Sequence, residues 1–583
     1  MDIVLIDSGA VLTDRKYLHF KKIEGVSIKA QQNTFIYSGQ YQDEFGHGTL
    51  VGNILHDFLQ KDINLFVIKI VDHTGNCNLE LLIESLNYCY ENLKCNIIQA
   101  SLGTLYSDER LLEVVRKLNK KGVLIISAFS NEGCLSYPAA YEEVLGIDVT
   151  KKYKKVEEYE YIDNSIVNIR GADTYYRTYG LNGKKSIVHG SSFYCSYITA
   201  MIANQCHLAF DKEYVLNILK QNAVSVCKCL ASAGSDRKMQ IKRAIVFPFN
   251  KENHSLAAFE YLLPFEAAGY YDIRQSGKVN KRVCDVLRYS GNEKKIRNFE
   301  DIDWKEGFDT FICGHVGRIS EILNEDILND IAQKCVKYDK QLFCYDNGMG
   351  LPEKYPGLKM CFPAVNKAMV PQGRFGKLRS PNKPVVGVFG TSSQQGKMTI
   401  QLLLREAFLR KGIKVKNIGS EPEAPLFGFE FCYTFGYEAA DTLNPQEMIT
   451  VLNEEIYQLE KENCDLIIVG SQSGTVAHQL RNISMIPLKQ YYFLLGTQPD
   501  SIILCVNAYD SVEYIRRTIA FFGAVVNAKV ICICVSYLNN RSFKPPMNPI
   551  SYYESIGLPV FDLQEIDICK MVQIIERYYE GEA

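Results

Sequence analysis

Short, near-continuous apolar runs alternate with amphipathic stretches along the first part of the chain. Strands are predicted at Ile3–Ile6, Leu65–Ile70, Asn96–Ala100 and Val123–Ala128, with helices at Thr49–Leu59 and Leu79–Asn92 between them. Strands apolar on both sides and separated by helices imply a parallel sheet covered on both faces. Ligands collect at the carboxyl ends of such strands, and polar residues of interest fall there: Asp7, Ser101, Asn131 and, at the start of a charge-free apolar stretch, Ser192.

Further along, the polar stretch Ser232 to Lys242 marks a boundary. "RAIVFPFN", "FDTFICGHV" and "KQLFCYDNG" then read as strands of a second, smaller α/β unit reaching about Met369. Pro371 to Pro384, rich in Pro, Gly and basic residues, reads as a connecting segment. After it, "KPVVGVFGTSSQQGKMTIQLLLREAF" runs from a strand, Val385–Phe389, through a glycine loop into a helix beginning near Lys397, with Leu402, Leu403 and Phe408 on one side.

Composition narrows the classes. A chain of 583 residues exceeds one hydrophobic core, and at roughly 100–200 residues per domain three or four units are expected. Hydrophobic content of 47% and charged content of 23% are those of a globular protein, and 65 basic against 67 acidic residues leave no electrostatic footprint for nucleic acid. The 19 cysteines include no C-x-x-C, and the close pairs Cys227/Cys229 and Cys532/Cys534 read as same-face strand neighbours. Reduced thiols and a cytoplasmic protein are expected. The chain opens on "DIVLIDSG" with no leader pattern before it, and no apolar run approaches the roughly 18 residues of a membrane span.

Four stretches carry candidate chemistry: "VLIDSG" with Asp7, "FGHGTLVGNILHDFL" with His47, "VLIISAFSNEG" with Asn131 and "HGSSFYCSYITA" with Ser192. Singly, Asp7 and Asn131 also suit turns, His47 a helix start and Ser192 an N-cap. Together they supply what a serine hydrolase needs: an oriented base, a nucleophile and an oxyanion donor. The order Asp, His, Asn, Ser resembles the subtilisin-like serine peptidases, through D-S-G at Asp7–Gly9, H-G-T-x-V at His47–Val51, S-L-G at Ser101–Gly103, S-N-E-G at Ser130–Gly133 with Tyr137-Pro138-Ala139, and G-S-S at Gly190–Ser192.

That resemblance covers about the first 235 residues. It implies that Asp7 orients His47, that His47 takes the proton from Ser192, and that Ser192 attacks a peptide carbonyl. Asn131 and the Ser192 N–H would hold the oxyanion, and Ser101, Leu102 and Gly103 would pair with an extended substrate. Two departures stand out: Phe193-Tyr194-Cys195-Ser196 lacks the usual helix proline, and Phe129-Ser130-Asn131 places a Cβ where such peptidases have glycine. Either would narrow the cleft, and neither removes a reacting group.

In the glycine loop, Gly390, Thr391, Gly396, Lys397, Met398 and Thr399 form a nucleotide-site candidate: backbone N–H groups and a helix N-terminus favour phosphate, Lys397 adds a charge, and Thr399 could offer a hydroxyl to Mg²⁺. One extra residue between the glycines, and Met398 after the lysine, depart from the strict phosphate-loop pattern. The loop is similar to those of dethiobiotin-synthetase-like proteins, which implies ATP and Mg²⁺ as cofactors; no resident metal site is expected. Where such proteins often end a strand on an acid, this chain has Gly470-Ser471; Glu421 or Glu423 could substitute, and Asp465 sits at the strand's beginning.

"AIVFPFNKE", "GVFGTSSQQGKMT", "VGSQSG" and "LLGTQPD" together resemble clostridial peptide maturation system proteins. That resemblance implies a ribosomally made precursor peptide as substrate and peptide-modifying enzymes as partners. The expected fold class is α/β: a subtilisin-like parallel-sheet domain (1–235), a small Rossmann-like α/β domain (243–370) and a P-loop NTPase-like α/β domain (380–583). The expected function is cytoplasmic cleavage of a leader peptide, with the nucleotide-binding half recognising or gating the substrate. Two alternatives remain: an ATP-dependent ligase or transferase with an accessory protease, and a binding protein that holds phosphate without turnover.

Overall fold

The apolar runs become the central strands of three sheets in a computed structural model of the chain. It describes all residues except 13–18, 33, 164, 206–211, 229–238, 288–289, 306, 347–349, 436–442, 482, 538–548 and 582–583. Packing divides the chain into two compact units, Met1–Ser232 with Pro371–Asn382, and Ala233–Val370 with Lys383–Ala583.

In the first unit a ten-stranded sheet runs in the order Ser225–Lys228, Tyr159–Asp163, Ile169–Ala172, Leu145–Thr150, Leu124–Ala128, Ile97–Ala100, Asp2–Asp7, Ile63–Lys69, Phe20–Gln31, Thr34–Ser38. Its middle is parallel, Ile3 lying opposite both Leu65 and Ile97. Because side chains alternate across a strand, Ile3 and Leu5 enter one core while Val4 and Ile6 enter the other. The first core is closed by the helices His47–Phe58 and Ser191–Gln205, the second by Leu79–Asn92 and Glu109–Lys120. Val51, Ile54 and Leu55 are buried as the apolar spacing requires.

The second unit holds two all-parallel sheets. Six strands run in the order Ile296–Asn298, Glu266–Asp272, Arg243–Phe247, Thr310–Cys313, Gln341–Cys344, Met360–Cys361. Seven run in the order Phe431–Cys432, Val415–Gly419, Leu466–Gly470, Val385–Gly390, Ser501–Asn507, Lys529–Ser536, Val560–Asp562. The helix after the glycine loop, Lys397–Arg410, is wedged between two cores rather than lying on one. Leu402 packs with Val246 and Ala424, whereas Phe408 packs with Ile400 and Leu404 against Val386 and Val388. The single apolar side expected for Leu402, Leu403 and Phe408 is therefore split, because the helix is covered on opposite faces.

Cys532 and Cys534 are buried on one strand, as their spacing requires. Cys227 lies on Ser225–Lys228, and Cys229 falls outside the described residues, as does most of the Ser232–Lys242 boundary. The described α/β architecture, with parallel sheets and helices on their faces, is the fold class expected from the sequence.

Candidate functional site

Asp7 is the last residue of a central strand and is 2% exposed. Its Oδ1 accepts the Ser8 N–H at 2.7 Å and lies 2.8 Å from His47 Nδ1, with Oδ2 at 3.0 Å. The imidazole is thus held by a carboxylate that the strand end itself immobilises. His47 opens its helix, and that start is fixed by a residue the sequence reading passed over. Asp43 Oδ1 accepts the N–H groups of Phe45 and Gly46, and Oδ2 accepts Thr49 N–H at 2.8 Å and Thr49 Oγ1–H at 2.6 Å. Asp43 lies three residues before the N-cap position, Gly46, so the ordinary N-cap pattern does not mark it. Burial pulls the His47 imidazolium pKa down, but the charge and hydrogen bond of Asp7 and the charge of Asp43 outweigh it, so the group titrates above its usual value.

Ser192 is the second residue of the helix Ser191–Gln205, whose first helical bond runs from Tyr194 N–H to Gly190 C=O at 3.2 Å. Its own N–H therefore has no carbonyl one turn back. The Ser192 hydroxyl donates to the Ser101 carbonyl at 3.4 Å, and among the described residues it makes no bond to His47. The neighbouring Phe193 ring does meet the imidazole, centroid to centroid at 5.4 Å.

Asn131 reaches the same helix start. Its Oδ1 accepts Ser191 N–H at 3.1 Å and lies 2.9 Å from Ser191 Oγ, which also contacts the Phe129 carbonyl at 2.6 Å. With Oδ1 turned to Ser191, the amide's Nδ2 is directed elsewhere. Gly190 makes this approach possible: its φ is +117°, and a Cβ there would stand 2.8 Å from Asn131 Oδ1. Ser101, Leu102 and Gly103 continue past the strand Ile97–Ala100, and the antiparallel bridge forms only at Thr104, with Tyr137. Gln99, another residue the reading missed, braces this region: its Nε2 donates to Ser196 Oγ at 3.0 Å and Ser101 Oγ at 3.3 Å, and Ser196 Oγ donates to Val51 C=O. No sequence pattern marks Gln99, since its partner Ser196 lies on a helix far along the chain.

The glycine loop lies at the carboxyl end of Val385–Gly390. Thr391 Oγ1 bonds Asp510 and also accepts Gln395 Nε2–H at 2.6 Å, while Gln395 Oε1 accepts Ser392 N–H at 2.9 Å. Lys397 Nζ donates to Ser392 C=O at 2.6 Å. Burial draws its ammonium pKa down to about 8, against the opposing pull of Cys505 and Glu421. Gly396 has φ +78° at the helix start, Met398 packs at the edge of the cluster that holds Leu402, and Thr399 is half-buried.

Why the neighbouring strand ends on Gly470 rather than an acid is now plain. The Gln401 amide fills that place, and a Cβ on Gly470 would lie 2.0 Å from it. Among the described residues, Gln401 Oε1, Ser471 Oγ and Gln472 Oε1 are buried without a protein hydrogen-bond partner. Such orphaned groups fit a polar ligand beside Lys397. Glu423 Oε1 accepts Ser255 Oγ–H at 2.9 Å, and burial pushes both Glu421 and Glu423 toward the protonated form. Asp465 Oδ2 accepts Lys414 N–H at the far, amino end of its strand. Among the described residues, no group of three His, Cys, Asp or Glu side chains could hold a metal ion. No described helix is long and apolar enough to cross a membrane.

Comparison with known proteins separates the two ends of the chain. Residues 374–565 match the family described as "Domain of unknown function (DUF1611_C) P-loop domain". The N-terminal part is similar to serine proteases of the subtilisin type. The chain is 27% identical over 168 residues to the minor extracellular protease Epr of Bacillus subtilis (strain 168), covering 27% of this chain and 24% of that protein. It is 28% identical over 177 residues to the major intracellular serine protease of the same organism, covering 28% and 55%. It is 26% identical over 117 residues to the thermostable alkaline protease of Halalkalibacterium halodurans, covering 18% and 32%. The chain thus spans between about a quarter and about half the length of these curated relatives. It joins a region similar to subtilisin-like serine proteases to a P-loop domain compatible with nucleotide binding.

Proposed function

We propose that the first unit is a serine endopeptidase in which His47, oriented by Asp7, takes the Ser192 proton as Oγ attacks the carbonyl carbon of an extended peptide. The developing oxyanion is held between the Ser192 N–H and Asn131 Nδ2. His47 then returns the proton to the leaving amine, and water, deprotonated by the same imidazole, releases the acyl group. The observation that carries this reading is the 2.8 Å Asp7–His47 contact at the carboxyl edge of the sheet, with the Ser191–Gln205 helix start against the same imidazole through Phe193. The Ser192 hydroxyl turns from the Ser101 carbonyl toward Nε2 when substrate enters; catalytic hydrogen bonds are commonly loose until substrate is bound.

The substrate in this reading is a ribosomally made precursor peptide from which a leader is removed, with Ser101, Leu102 and Gly103 adding it as a strand. A cytoplasmic site of action is supported by the free thiols of the described cysteines. The P-loop, through Gly390, Thr391, Gly396, Lys397, Met398 and Thr399, holds the phosphates of ATP in this reading, with the Thr399 hydroxyl as the candidate ligand for Mg²⁺. The buried Ser471 hydroxyl, a donor without a protein partner among the described residues, supports a bound anion there.

Labelling with a fluorophosphonate tests the first unit. The unchanged protein is expected to take the label at Ser192, and Ser192→Ala to lose both label and peptide cleavage; labelling that persists in Ser192→Ala overturns the reading. For the second unit, ATP added to a cleavage assay is expected to change the rate with no gain of mass on the peptide. A new mass would instead favour ATP-dependent modification.

A further inference from the structure

The stretch P-Q-G-R-F-G-K-L-R-S-P-N, residues 371–382, is separated from the N-terminal unit by more than a hundred residues of chain, yet it packs in that unit. Its three basic side chains are buried: Arg374 is 7% exposed, Lys377 3% and Arg379 6%. Long cationic side chains are almost never so buried unless they are paired.

The partners are specific. Lys377 Nζ lies 3.2 Å from Asp148 Oδ2, donates to the Gly133 carbonyl at 3.3 Å and sits 5.3 Å from the centre of the Phe129 ring. Phe129 and Gly133 flank Asn131, so one buried ammonium ties both ends of the loop carrying that amide to the strand Leu145–Thr150. Arg379 Nη1 donates to Tyr137 Oη at 2.9 Å. Tyr137 in turn exchanges backbone hydrogen bonds with Thr104, next to Ser101–Gly103. The segment's first half is fastened separately: Ser165 Oγ donates to the Gly373 carbonyl at 3.1 Å, and the Arg170 guanidinium stacks 4.0 Å from the Phe375 ring centre.

We propose that residues 371–382 are a positioning strap for the peptidase cleft, Lys377 setting the Asn131 loop and Arg379 setting the wall beside Ser101–Gly103. The inference rests on the peptidase reading above. Lys377 touches no reacting atom; it acts by holding the loop whose amide meets the oxyanion. A displacement of about 1 Å in such a donor can cost around a hundredfold in rate.

The test uses the full chain and the saturation kinetics of fluorophosphonate labelling. Lys377→Met is expected to lower the limiting labelling rate about 10- to 100-fold while the half-saturating concentration stays within about threefold, and Lys377→Arg to restore part of the rate. That split separates positioning from a general loss of structure, which would lower the amount of labelled protein rather than its rate. A folded Lys377→Met protein that labels at the unchanged rate overturns the strap. Should Lys377→Met not fold, Tyr137→Phe decides. It keeps the ring and removes only the hydroxyl that Arg379 holds; a limiting rate lowered at least threefold supports the proposal, and an unaltered one overturns it. Unchanged labelling of Ser192→Ala would instead sink the peptidase reading itself, a result distinct from either.

Discussion

At the scale of single residues, the chemistry turns on His47 and the two carboxylates around it. In the proposed peptidase reaction only the neutral imidazole can take the Ser192 proton, and Asp7 and Asp43 favour the imidazolium strongly enough to hold its pKa above the usual value. Activity is therefore expected to rise with pH along a limb whose midpoint lies above about 6.5, read from the pH profile of kcat/KM. Asp43→Asn removes one favouring charge and is expected to move that limb to lower pH. Asp7→Asn leaves the strand end in place but offers the ring an amide, and kcat is expected to fall about 10⁴-fold, the scale seen when a triad acid is neutralised. The residues of this constellation were legible in the sequence because each sits beside glycines at a strand end or helix start. Gln99 and Asp43 were not, since a buried polar group declares its purpose only through its partners.

Single elements show why the site is where it is. The helix His47–Phe58 begins where it does because Asp43 satisfies Thr49 N–H and the turn before it. Removing that cap in Asp43→Ala is expected to cost about 1–2 kcal/mol, seen as a fall of about 2–8 °C in the melting temperature of a domain this size. The buried central strands were predicted from apolar runs, and their ends lie within a residue or two of expectation. The strand Phe20–Gln31, which lies inside the edge strand Thr34–Ser38, is not predicted in this way, because "FKKIEGVSIKAQ" carries lysines and a glutamate at exposed positions and has no apolar run to read. The start of the helix Lys397–Arg410 follows from the glycine loop before it, yet apolar spacing alone puts Leu402 and Phe408 on one side where the fold buries them in two cores. Periodicity reports which positions are buried and not how many neighbours bury them.

For the whole molecule, the P-loop's behaviour follows from burial as much as from motif. Lys397 is drawn down to about 8, so above that pH it is uncharged and gives up its attraction for phosphate. The Kd for ATP is expected to rise as pH passes upward through about 8, and calorimetry there should register proton uptake on binding. Nucleotide at a hundredfold excess over Kd is expected to stabilise the second unit by about 2.7 kcal/mol, seen as a shift in its thermal transition and lost in Lys397→Ala. The sequence by itself determined the α/β class, the strand ends that carry Asp7, Ser101 and Asn131, and the loop that carries Lys397, because these follow from local spacing of apolar, glycine and polar residues. Only the tertiary structure decided that Ser192 rests on the Ser101 carbonyl, that Gln401 takes the place of a strand-end acid at Gly470, and that 371–382 packs under the Asn131 loop. Each of those depends on groups meeting across distances along the chain that no local pattern encodes.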